Sequence, residues 1–330
     1  MTVLVTGGAG YIGSHMVWAL KDAGEAVVVV DNLVTGFDWA LPGDVSLVRG
    51  DIGDMALIGR VLKEYSVDAV IHFAGSVVVP ESVADPLKYY RNNTCASRNL
   101  IEACTAAGVD KFIFSSTAAV YGDPKTVPVG ENAPLAPLSP YGTSKLMTEL
   151  MLRDTAAAHP FRYTALRYFN VAGADPEGRT GQSTAGATHL IKVAGEAALG
   201  KRDSLSVFGT DYDTPDGTGV RDYIHVSDLV AAHKLALDRL KDGGESLTMN
   251  CGYGRGFSVL EVVDTVRRVS GKDFKVDMEG RRPGDSPKVV ADPSLIRSEL
   301  GWKPNHDDLE EIVTHALAWE DKLSKRNRAE

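Results

Sequence analysis

Tyr141 and Lys145 are the residues of this chain whose types and spacing point most directly to chemistry. Ser139 and Pro140 precede them, and a serine N-cap followed by proline at the first helical position predicts that a helix begins there. A separation of four residues places the phenol and the ammonium on one helical face. A phenol titrates near pH ~10, and a neighbouring cation lowers that pKa. The pair is a candidate proton-transfer group, although a surface tyrosine beside a solvated lysine better explains these residues taken alone.

Residues 1–31 carry a second candidate site. Residues 2–6 are predicted to form a strand, residues 14–23 a helix, and residues 26–30 a strand that ends at Asp31. Gly7, Gly10 and Gly13 lie in the intervening turn, where glycines let the backbone approach a pyrophosphate at a helix N-terminus. An acid at the tip of the second strand accepts hydrogen bonds from ribose hydroxyls and repels a 2′-phosphate, so the segment predicts NAD rather than NADP. A glycine turn without a ligand is the alternative.

The alternation of strands and helices continues, which predicts an α/β fold with a doubly wound parallel sheet of the Rossmann type. Further strands are predicted at 45–49, 67–73, 111–114 and 162–168, with helices at 55–65, 86–108 and from 140. Ligands of such sheets bind beyond the carboxyl ends of the strands. The residues predicted there are Asp51, Ile52, Phe73, Ala74, Gly75, Ser115, Ser116 and Thr117. One of the hydroxyls could bind a substrate hydroxyl beside Tyr141, and a Ser/Thr turn without a ligand is the alternative.

The regular alternation of predicted strands and helices ends near residue 171, which predicts two lobes. Residues 1–171 are expected to form the NAD-binding domain, and residues 172–330 mainly a smaller mixed α/β substrate-binding lobe. Residues 173–187 are rich in Gly, Thr, Asp and Pro, which indicates a long functional loop or a boundary. The strand 222–225 and the helix that follows to residue 240 are expected to return to the first lobe.

Composition narrows the classes of partner. The chain has 330 residues, a formal net charge of −9 and no dense run of Lys or Arg, which argues against nucleic acid or an anionic membrane surface as a partner. No apolar run approaches the ~18 residues needed to span a bilayer. Three cysteines without C-x-x-C spacing fit neither a disulfide framework nor a metal site. No signal peptide is predicted, so a soluble cytoplasmic protein is expected.

Motifs along nearly the whole chain resemble the extended short-chain dehydrogenases/reductases and, within them, the UDP-glucose (UDP-galactose) 4-epimerases. The matching segments are GGAGYIGSH (7–15), DN (31–32), GDI (50–52), FAG (73–75), SSTAAVYG (115–122), SPYGTSKLM (139–147), LRYFNV (166–171), GTGVRDYIHV (217–226) and RRPGD (281–285). The first motifs are typical of the superfamily, and GTGVRDYIHV with the Ser-Ser-Thr turn points to the epimerases.

The resemblance implies a role for each matching position. Tyr141 is the base, Thr117 its hydroxyl partner, and Lys145 binds the nicotinamide ribose and lowers the pKa of the tyrosine. The cofactor-binding positions are Gly7, Gly10, Tyr11, Ile12, Gly13, Asp31, Asn32, Asp51, Ile52, Phe73, Ala74, Gly75, Asn92, Ser115, Tyr141, Lys145 and Tyr168. The substrate-binding positions are Thr117, Tyr141, Asn170, His189, Leu190, Phe208, Arg221, Arg282, Asp285 and Val289. A homodimer through the helices that hold Asn93 and Lys145 is also implied.

The implied reaction is reversible inversion at C4 of a UDP-hexose through a 4-keto sugar, with bound NAD, in galactose metabolism. Ala118 and Ala119 stand where related sugar-nucleotide dehydratases carry Asp and Glu, so elimination is disfavoured. Val77 replaces a frequent lysine near the cofactor phosphates, and His189 replaces an asparagine that contacts the nucleotide. Val289, where some relatives carry tyrosine, leaves room for an N-acetyl group. A dehydratase or reductase, and a non-catalytic redox sensor, remain the alternatives.

Overall fold

The computed structural model describes residues 1–282 and 285–326, which contain both strands and helices. The strands are β1 (Thr2–Thr6), β2 (Ala26–Asp31), β3 (Ser46–Arg49), β4 (Ala69–His72), β5 (Lys111–Ser115), β6 (Arg162–Tyr168), β7 (Asn170–Ala172), β8 (Leu205–Phe208), β9 (Val220–His225), β10 (Leu247–Cys251), β11 (Gly256–Ser258), β12 (Val276–Glu279) and β13 (Lys288–Val289). The helices are α1 (Tyr11–Asp22), α2 (Met55–Glu64), α3 (Val79–Ala84), α4 (Pro86–Tyr89), α5 (Ala96–Ala107), α6 (Pro140–Ala158), α7 (Leu190–Ala198), α8 (Val226–Lys241), α9 (Val259–Ser270), α10 (Ser294–Leu300) and α11 (Leu309–Arg326).

A large parallel sheet organises the first half of the chain. Among the described residues it has seven strands in the order β3-β2-β1-β4-β5-β6-β10. The order reverses between β1 and β4, and the carboxyl ends of the strands on either side of such a point form the ligand crevice of a doubly wound sheet. The predicted α/β fold of the Rossmann type is therefore confirmed.

Both faces of this sheet are covered by helices. Along β1, Val3 and Val5 pack in the same core as Met16 of α1 and Leu229 of α8, whereas Leu4 faces the core that contains α2 and α5. Successive residues of a strand point to opposite faces, so a strand buried on both sides is apolar throughout. The continuous apolar character of Val3, Leu4 and Val5 thus follows from their central position.

The second half contributes to both lobes. Helix α8 packs on α1 and on the sheet, and β10 pairs with β6 in parallel. The strand before α8 behaves differently: β9 pairs with β7, β11 and β13 in a second sheet. Strand β9 therefore joins the second sheet while α8 packs on the large one, and the return of residues 222–225 to the first lobe stays a prediction. Tyr223 and Ile224 are buried, and their apolar pattern cannot specify which sheet buries them.

A third, two-stranded parallel sheet pairs β8 with β12. Residues 173–187 contain neither a helix nor a strand, as predicted. In the ranges that the structure describes, every helix is too short or too polar to cross a bilayer.

Candidate active site

The glycine turn after β1 is shaped for close approach by a ligand. Gly7 has φ +68°, and a Cβ there would lie 2.6 Å from the backbone nitrogen of Ala74. A Cβ on Gly13 would lie 2.1 Å from the carbonyl oxygen of Gly7. Helix α1 begins at Tyr11, earlier than the predicted residue 14, and its first turn carries no acidic side chain. Free backbone N–H groups and the positive end of the helix dipole at this point suit a pyrophosphate.

Asp31 lies beside the glycine turn. Its Oδ2 accepts a hydrogen bond from the Ala9 nitrogen at 2.9 Å, and its Oδ1 accepts one from the Leu33 nitrogen at 2.8 Å. The next residue, Asn32, accepts from the Val34 nitrogen at 3.2 Å. Each Asp31 oxygen keeps a second lone pair, which is the acceptor capacity that the predicted ribose contact requires.

The ends of β3 and β4 bring further predicted cofactor residues to the same edge of the sheet. Asp51 is exposed, and its Oδ1 accepts from the Gly53 nitrogen at 2.7 Å. Ile52 is buried, and the Phe73 ring lies 4.9 Å from the His233 ring. Ala74 and Gly75 continue the turn, where Gly7 packs against Ala74.

Two neighbouring asparagines bind the loop that follows this turn. Asn92 Nδ2 donates to Ser76 Oγ at 3.1 Å. Asn93 accepts from the Ser76 nitrogen at 2.8 Å and donates to Ser144 Oγ at 3.0 Å, so it ties the loop to α6. Sequence reasoning assigned the site to Asn92 and missed this function of Asn93. The available signal was a pair of adjacent amide side chains in the predicted helix 86–108.

Tyr141, Lys145 and Thr117 meet at the carboxyl end of β5. Helix α6 begins at Pro140 with Ser139 as its N-cap, as predicted. Lys145 Nζ donates to the Ser115 carbonyl oxygen at 3.0 Å and lies 5.0 Å from the centre of the Phe114 ring. The Thr117 side chain lies close enough to the Tyr141 phenol to lower its pKa. The structure thus brings Tyr141 and Lys145 of α6 together with Thr117 of the Ser-Ser-Thr turn.

The electrostatics of this group differ from the sequence argument. Burial raises the pKa of Tyr141, and the hydrogen bond from Thr117 offsets part of that rise. Burial also lowers the pKa of Lys145 to about 8. The predicted lowering of the Tyr141 pKa by Lys145 is therefore wrong for this chain by itself. The physical reason is that the ammonium is directed to the Ser115 carbonyl and the Phe114 ring, while both side chains are desolvated.

Tyr11 and Tyr168 border the same crevice. The Tyr11 hydroxyl donates to the Gly173 carbonyl oxygen at 2.7 Å, so it joins the glycine turn to the loop 173–187. Tyr168 is at the end of β6, and burial raises the pKa of its phenol. Ile12, which follows Tyr11, packs against the large core.

Apart from Thr117 and Tyr141, the predicted substrate residues form three groups. Arg221 and Val289 are register partners in β9 and β13, and Arg221 donates to the Val220 carbonyl oxygen at 3.0 Å. The Arg282 guanidinium lies 4.5 Å from the centre of the Phe208 ring, and its Nε donates to Asp285 at 2.9 Å. Arg281 instead pairs with Asp211 at 2.7 Å and stacks on Tyr212.

Asn170, His189 and Leu190 line one cavity at the junction of β7, α7 and the C-terminal helix. The His189 Nδ1 lies 2.7 Å from Gln182 Nε2, so His189 is held by the loop 173–187. Val77 is 46% exposed and lies in the loop after β4, which agrees with an apolar residue in place of a phosphate-binding lysine.

Residues 3–252 match the model of the NAD dependent epimerase/dehydratase family. A curated UDP-glucose 4-epimerase of Azospirillum brasilense is 62% identical over 323 residues, which are 98% of this chain and 93% of that protein. The chain belongs to the NAD dependent epimerase/dehydratase family.

Two solved structures are also similar over nearly the full chain. The UDP-glucose 4-epimerase of Bifidobacterium longum in complex with NAD+ and UDP has a TM-score of 0.93 at 40% identity and covers 98% of both chains. The UDP-Glc/GlcNAc 4-epimerase of Campylobacter jejuni has a TM-score of 0.85 at 48% identity, with 97% of this chain and 99% of that chain covered.

Ala118 and Ala119 bear on the branch of the epimerase/dehydratase family. They begin a short 3-10 helix directly after Thr117, which accepts the Ala119 N–H at 3.1 Å. A dehydratase needs an acid to protonate the departing hydroxyl, and methyl side chains cannot supply a proton. The residues beside Thr117 therefore favour the epimerase branch.

Proposed function

We propose that this protein catalyses reversible, NAD-dependent epimerisation at C4 of a UDP-hexose and interconverts UDP-galactose and UDP-glucose. The observation that carries the proposal is the juxtaposition of Tyr141, Thr117 and Lys145 with the glycine turn at one edge of the large sheet. The similarity to relatives named UDP-glucose 4-epimerase supports the same reaction.

The chain supplies proton transfer and orientation. Tyr141 takes the proton of the sugar 4-hydroxyl and later returns it, and Thr117 hydrogen-bonds both the phenol and the sugar oxygen. Lys145 Nζ is fixed by the Ser115 carbonyl, which leaves two of its three N–H groups for the nicotinamide ribose. Bound NAD would supply the acceptor and later the donor of hydride at C4, so the reaction would have no net redox change. Between the two transfers the substrate is a 4-keto sugar that presents its other face.

Gly7, Gly10, Gly13 and Asp31 would hold the cofactor. The glycine turn leaves no space for Cβ atoms at Gly7 and Gly13, so the backbone itself would line the pyrophosphate site. Asp31 lies within hydrogen-bond distance of the turn, where a ribose would be adjacent to it.

Substrate binding must be firm at UDP and loose at the hexose, because a tightly held sugar cannot rotate to present its other face to the nicotinamide. We assign the diphosphate to Arg221 and Arg282, since guanidinium groups bind phosphate in bidentate geometry. The Arg282–Asp285 pair is partly exposed, with 43% and 24% of the two side chains accessible. Such a pair contributes little to stability, so Arg282 can exchange Asp285 for phosphate at small cost. Asp285 is then free for the uridine ribose, with Phe208 beside the base.

Val289 extends the proposal to N-acetylhexosamines. It is half-buried and is the register partner of Arg221, so its side chain helps to form the wall of the substrate site. A valine there leaves more room than an aromatic residue. The Campylobacter jejuni relative, which is named for both glucose and N-acetylglucosamine substrates, supports this extension.

An assay without added NAD tests the reaction and cofactor retention together. Purified protein is incubated with UDP-galactose or UDP-N-acetylgalactosamine, and the products are separated by chromatography. We expect the C4 epimers to form while absorbance at 340 nm stays flat, since hydride is returned within each turnover. The Tyr141→Phe variant is the matched control. Net NADH formation, or loss of water from the sugar, would identify a dehydrogenase or dehydratase instead, and no turnover of either substrate would support a non-catalytic relative.

A homodimer forms part of the proposal. Apolar side chains on α3, α4 and α6 face solvent, with exposed fractions of 58% for Val83, 76% for Leu87 and 39% each for Met147 and Leu150. Such a patch marks an interaction site, and it lies on the helical layer that contains Asn93 and Lys145. Light scattering after size exclusion should give twice the chain mass of 35.3 kDa, and Leu87→Glu should reduce it to one chain.

We also propose a cytoplasmic protein of galactose metabolism. Cys95, Cys104 and Cys251 are free thiols, and free thiols are typical of a reducing compartment. Deletion of the gene should prevent growth on galactose, and cell fractionation should recover the activity in the cytoplasm. Recovery with membranes or periplasm would contradict the assignment.

A further inference from the structure

The face of α6 that carries Tyr141 and Lys145 continues to Glu149. The three residues are spaced by four, so they lie on one side of the helix. All three are buried, and each contacts a different residue of the turn 115–117. The pairs are Tyr141 with Thr117, Lys145 with the carbonyl oxygen of Ser115, and Glu149 with the hydroxyl of Ser116. Three successive residues of the turn are thus held at three successive turns of one helix.

The Glu149 carboxylate is itself fixed from the other side. Arg167 of β6 donates to it through Nη2 at 2.6 Å and through Nε at 3.0 Å. Arg167 also donates to the Tyr121 hydroxyl at 3.0 Å, and that hydroxyl donates to Asn250 of β10 at 2.7 Å. A bidentate, buried ion pair has a defined geometry. The acceptor that Ser116 uses is therefore anchored to both strands at this edge of the large sheet.

Ser116 has no surface of its own in the crevice, since its exposed fraction is 0%. Its hydroxyl donates to Glu149, while its neighbour Thr117 acts on the phenol and lowers the pKa of Tyr141. A shift of Ser116 would displace Thr117 because the two are adjacent in an extended segment. The contact with Glu149 thus fixes the residue that directly precedes Thr117.

We propose that Ser116 and Glu149 are positioning residues for proton transfer by Tyr141, because they clamp the turn 115–117 to α6 and so hold Thr117 beside the phenol. The proposal deepens the epimerase function above and rests on it for its kinetic consequence. Its structural consequence, the ionisation of Tyr141, can be measured whether or not the protein turns over a sugar nucleotide.

Titratable groups from several elements surround the Tyr141 phenol and the Glu149 carboxylate. Tyr89 of α4 faces Tyr141 with ring centres 6.4 Å apart. Tyr168 of β6 interacts electrostatically with the same phenol. Glu149 is faced by Arg167 and by Tyr163, both of β6. Tyr89, Tyr163, Arg167 and Tyr168 are retained in every variant below, so a change in Tyr141 ionisation reports on the turn.

Ser116→Ala is the decisive variant. The pKa of Tyr141 is measured as the difference between spectrophotometric titrations of a protein and of the same protein carrying Tyr141→Phe. We expect Ser116→Ala to raise this pKa, because the Thr117 hydroxyl no longer stabilises the phenolate as well. The acid limb of the kcat profile should move to higher pH in parallel. At pH 7, kcat should fall about tenfold, less than the ~10²- to 10⁴-fold effect of losing the acid–base group itself, while KM for UDP-galactose stays constant.

Two further variants test whether Ser116 and Glu149 influence the Tyr141 pKa through Thr117. Thr117→Ala should raise the Tyr141 pKa at least as far, and adding Ser116→Ala to it should raise the pKa no more, since the clamp acts through Thr117. Glu149→Asp withdraws the acceptor by one methylene and keeps a charge for Arg167, so it should behave as Ser116→Ala. Additive shifts in the double variant would overturn the proposal.

Ser97→Ala is the matched control. Ser97 is 1% exposed, and its hydroxyl lies 2.8 Å from His72 Nε2, so it is an equally buried and bonded serine outside the turn. It should lower the melting temperature to a similar degree and leave the Tyr141 pKa unchanged. An unchanged Tyr141 pKa in Ser116→Ala would refute the clamp even if the wild type epimerises UDP-galactose. A wild type without epimerase activity would instead refute the proposed function and leave the spectroscopic test of the clamp decisive.

Discussion

Lys145 offers a test of the structure that does not depend on turnover. The side chain is 3% exposed, and burial lowers its pKa from 10.5 to about 8. An unfolded chain keeps the ordinary lysine value. Between pH 8 and pH 10.5 the unfolded state therefore binds more protons than the folded state, and the free energy of unfolding increases with pH. The increase approaches about 1.4 kcal/mol per pH unit and reaches about 3 kcal/mol across the window.

The assay compares wild type with Lys145→Met. Urea unfolding of ligand-free protein at pH 7, 8, 9 and 10 is followed by tryptophan fluorescence, and the two free energies are subtracted so that other titrating groups cancel. The difference, wild type minus variant, should be constant below pH 8 and increase above it. Lys241→Met is the control, because pairing with Glu25 raises the pKa of Lys241 and its difference should not increase in this window. If the difference in unfolding free energy between wild type and Lys145→Met does not change with pH, the lowered pKa of Lys145 is refuted.

Three more predictions concern the site. Tyr141→Phe should lower kcat about 10²- to 10⁴-fold, the range of a lost acid–base group, with UDP affinity by calorimetry retained; a smaller loss would refute its role as base. Gly13→Ala places a Cβ 2.1 Å from the Gly7 oxygen and should abolish NAD binding in fluorescence titrations, whereas Gly59→Ala in α2, whose Cβ meets nothing within 4 Å, should bind normally. Arg282→Met should weaken UDP at least about tenfold, as expected for a charged hydrogen bond, without changing NAD affinity; equal UDP affinity would remove it from the diphosphate site.

Sequence alone was sufficient where the determinants are local. The spacing of the glycines at 7, 10 and 13, Asp31 at the end of β2, and the N-cap at Ser139 can each be recognised within a few residues or within one strand–turn–helix unit. Backbone geometry within such a unit is nearly independent of the rest of the chain. The pairing of Tyr141 with Lys145 on one face of α6 followed from helix periodicity for the same reason.

Tertiary structure decided the contacts between distant segments. The apolar run of β9 suited either sheet, and only the pairing with β7, β11 and β13 placed it in the second one. The strand β10 entered the large sheet beside β6 although 78 residues lie between Tyr168 and Leu247. Asn93, Ser116 and Glu149 gained their functions by meeting α6 or the turn 115–117. No spacing in the sequence encodes those encounters.

The ionisation of Tyr141 shows the division most clearly. Residue types predicted a cation beside a phenol, and both groups are present at the predicted spacing. The direction of the pKa shift depends instead on desolvation and on where the ammonium points, and here burial outweighs the neighbouring groups. Sequence determined which chemical groups meet in the crevice. The packing of β5, β6 and α6 around them determined their protonation, because water is excluded only once all three are in place.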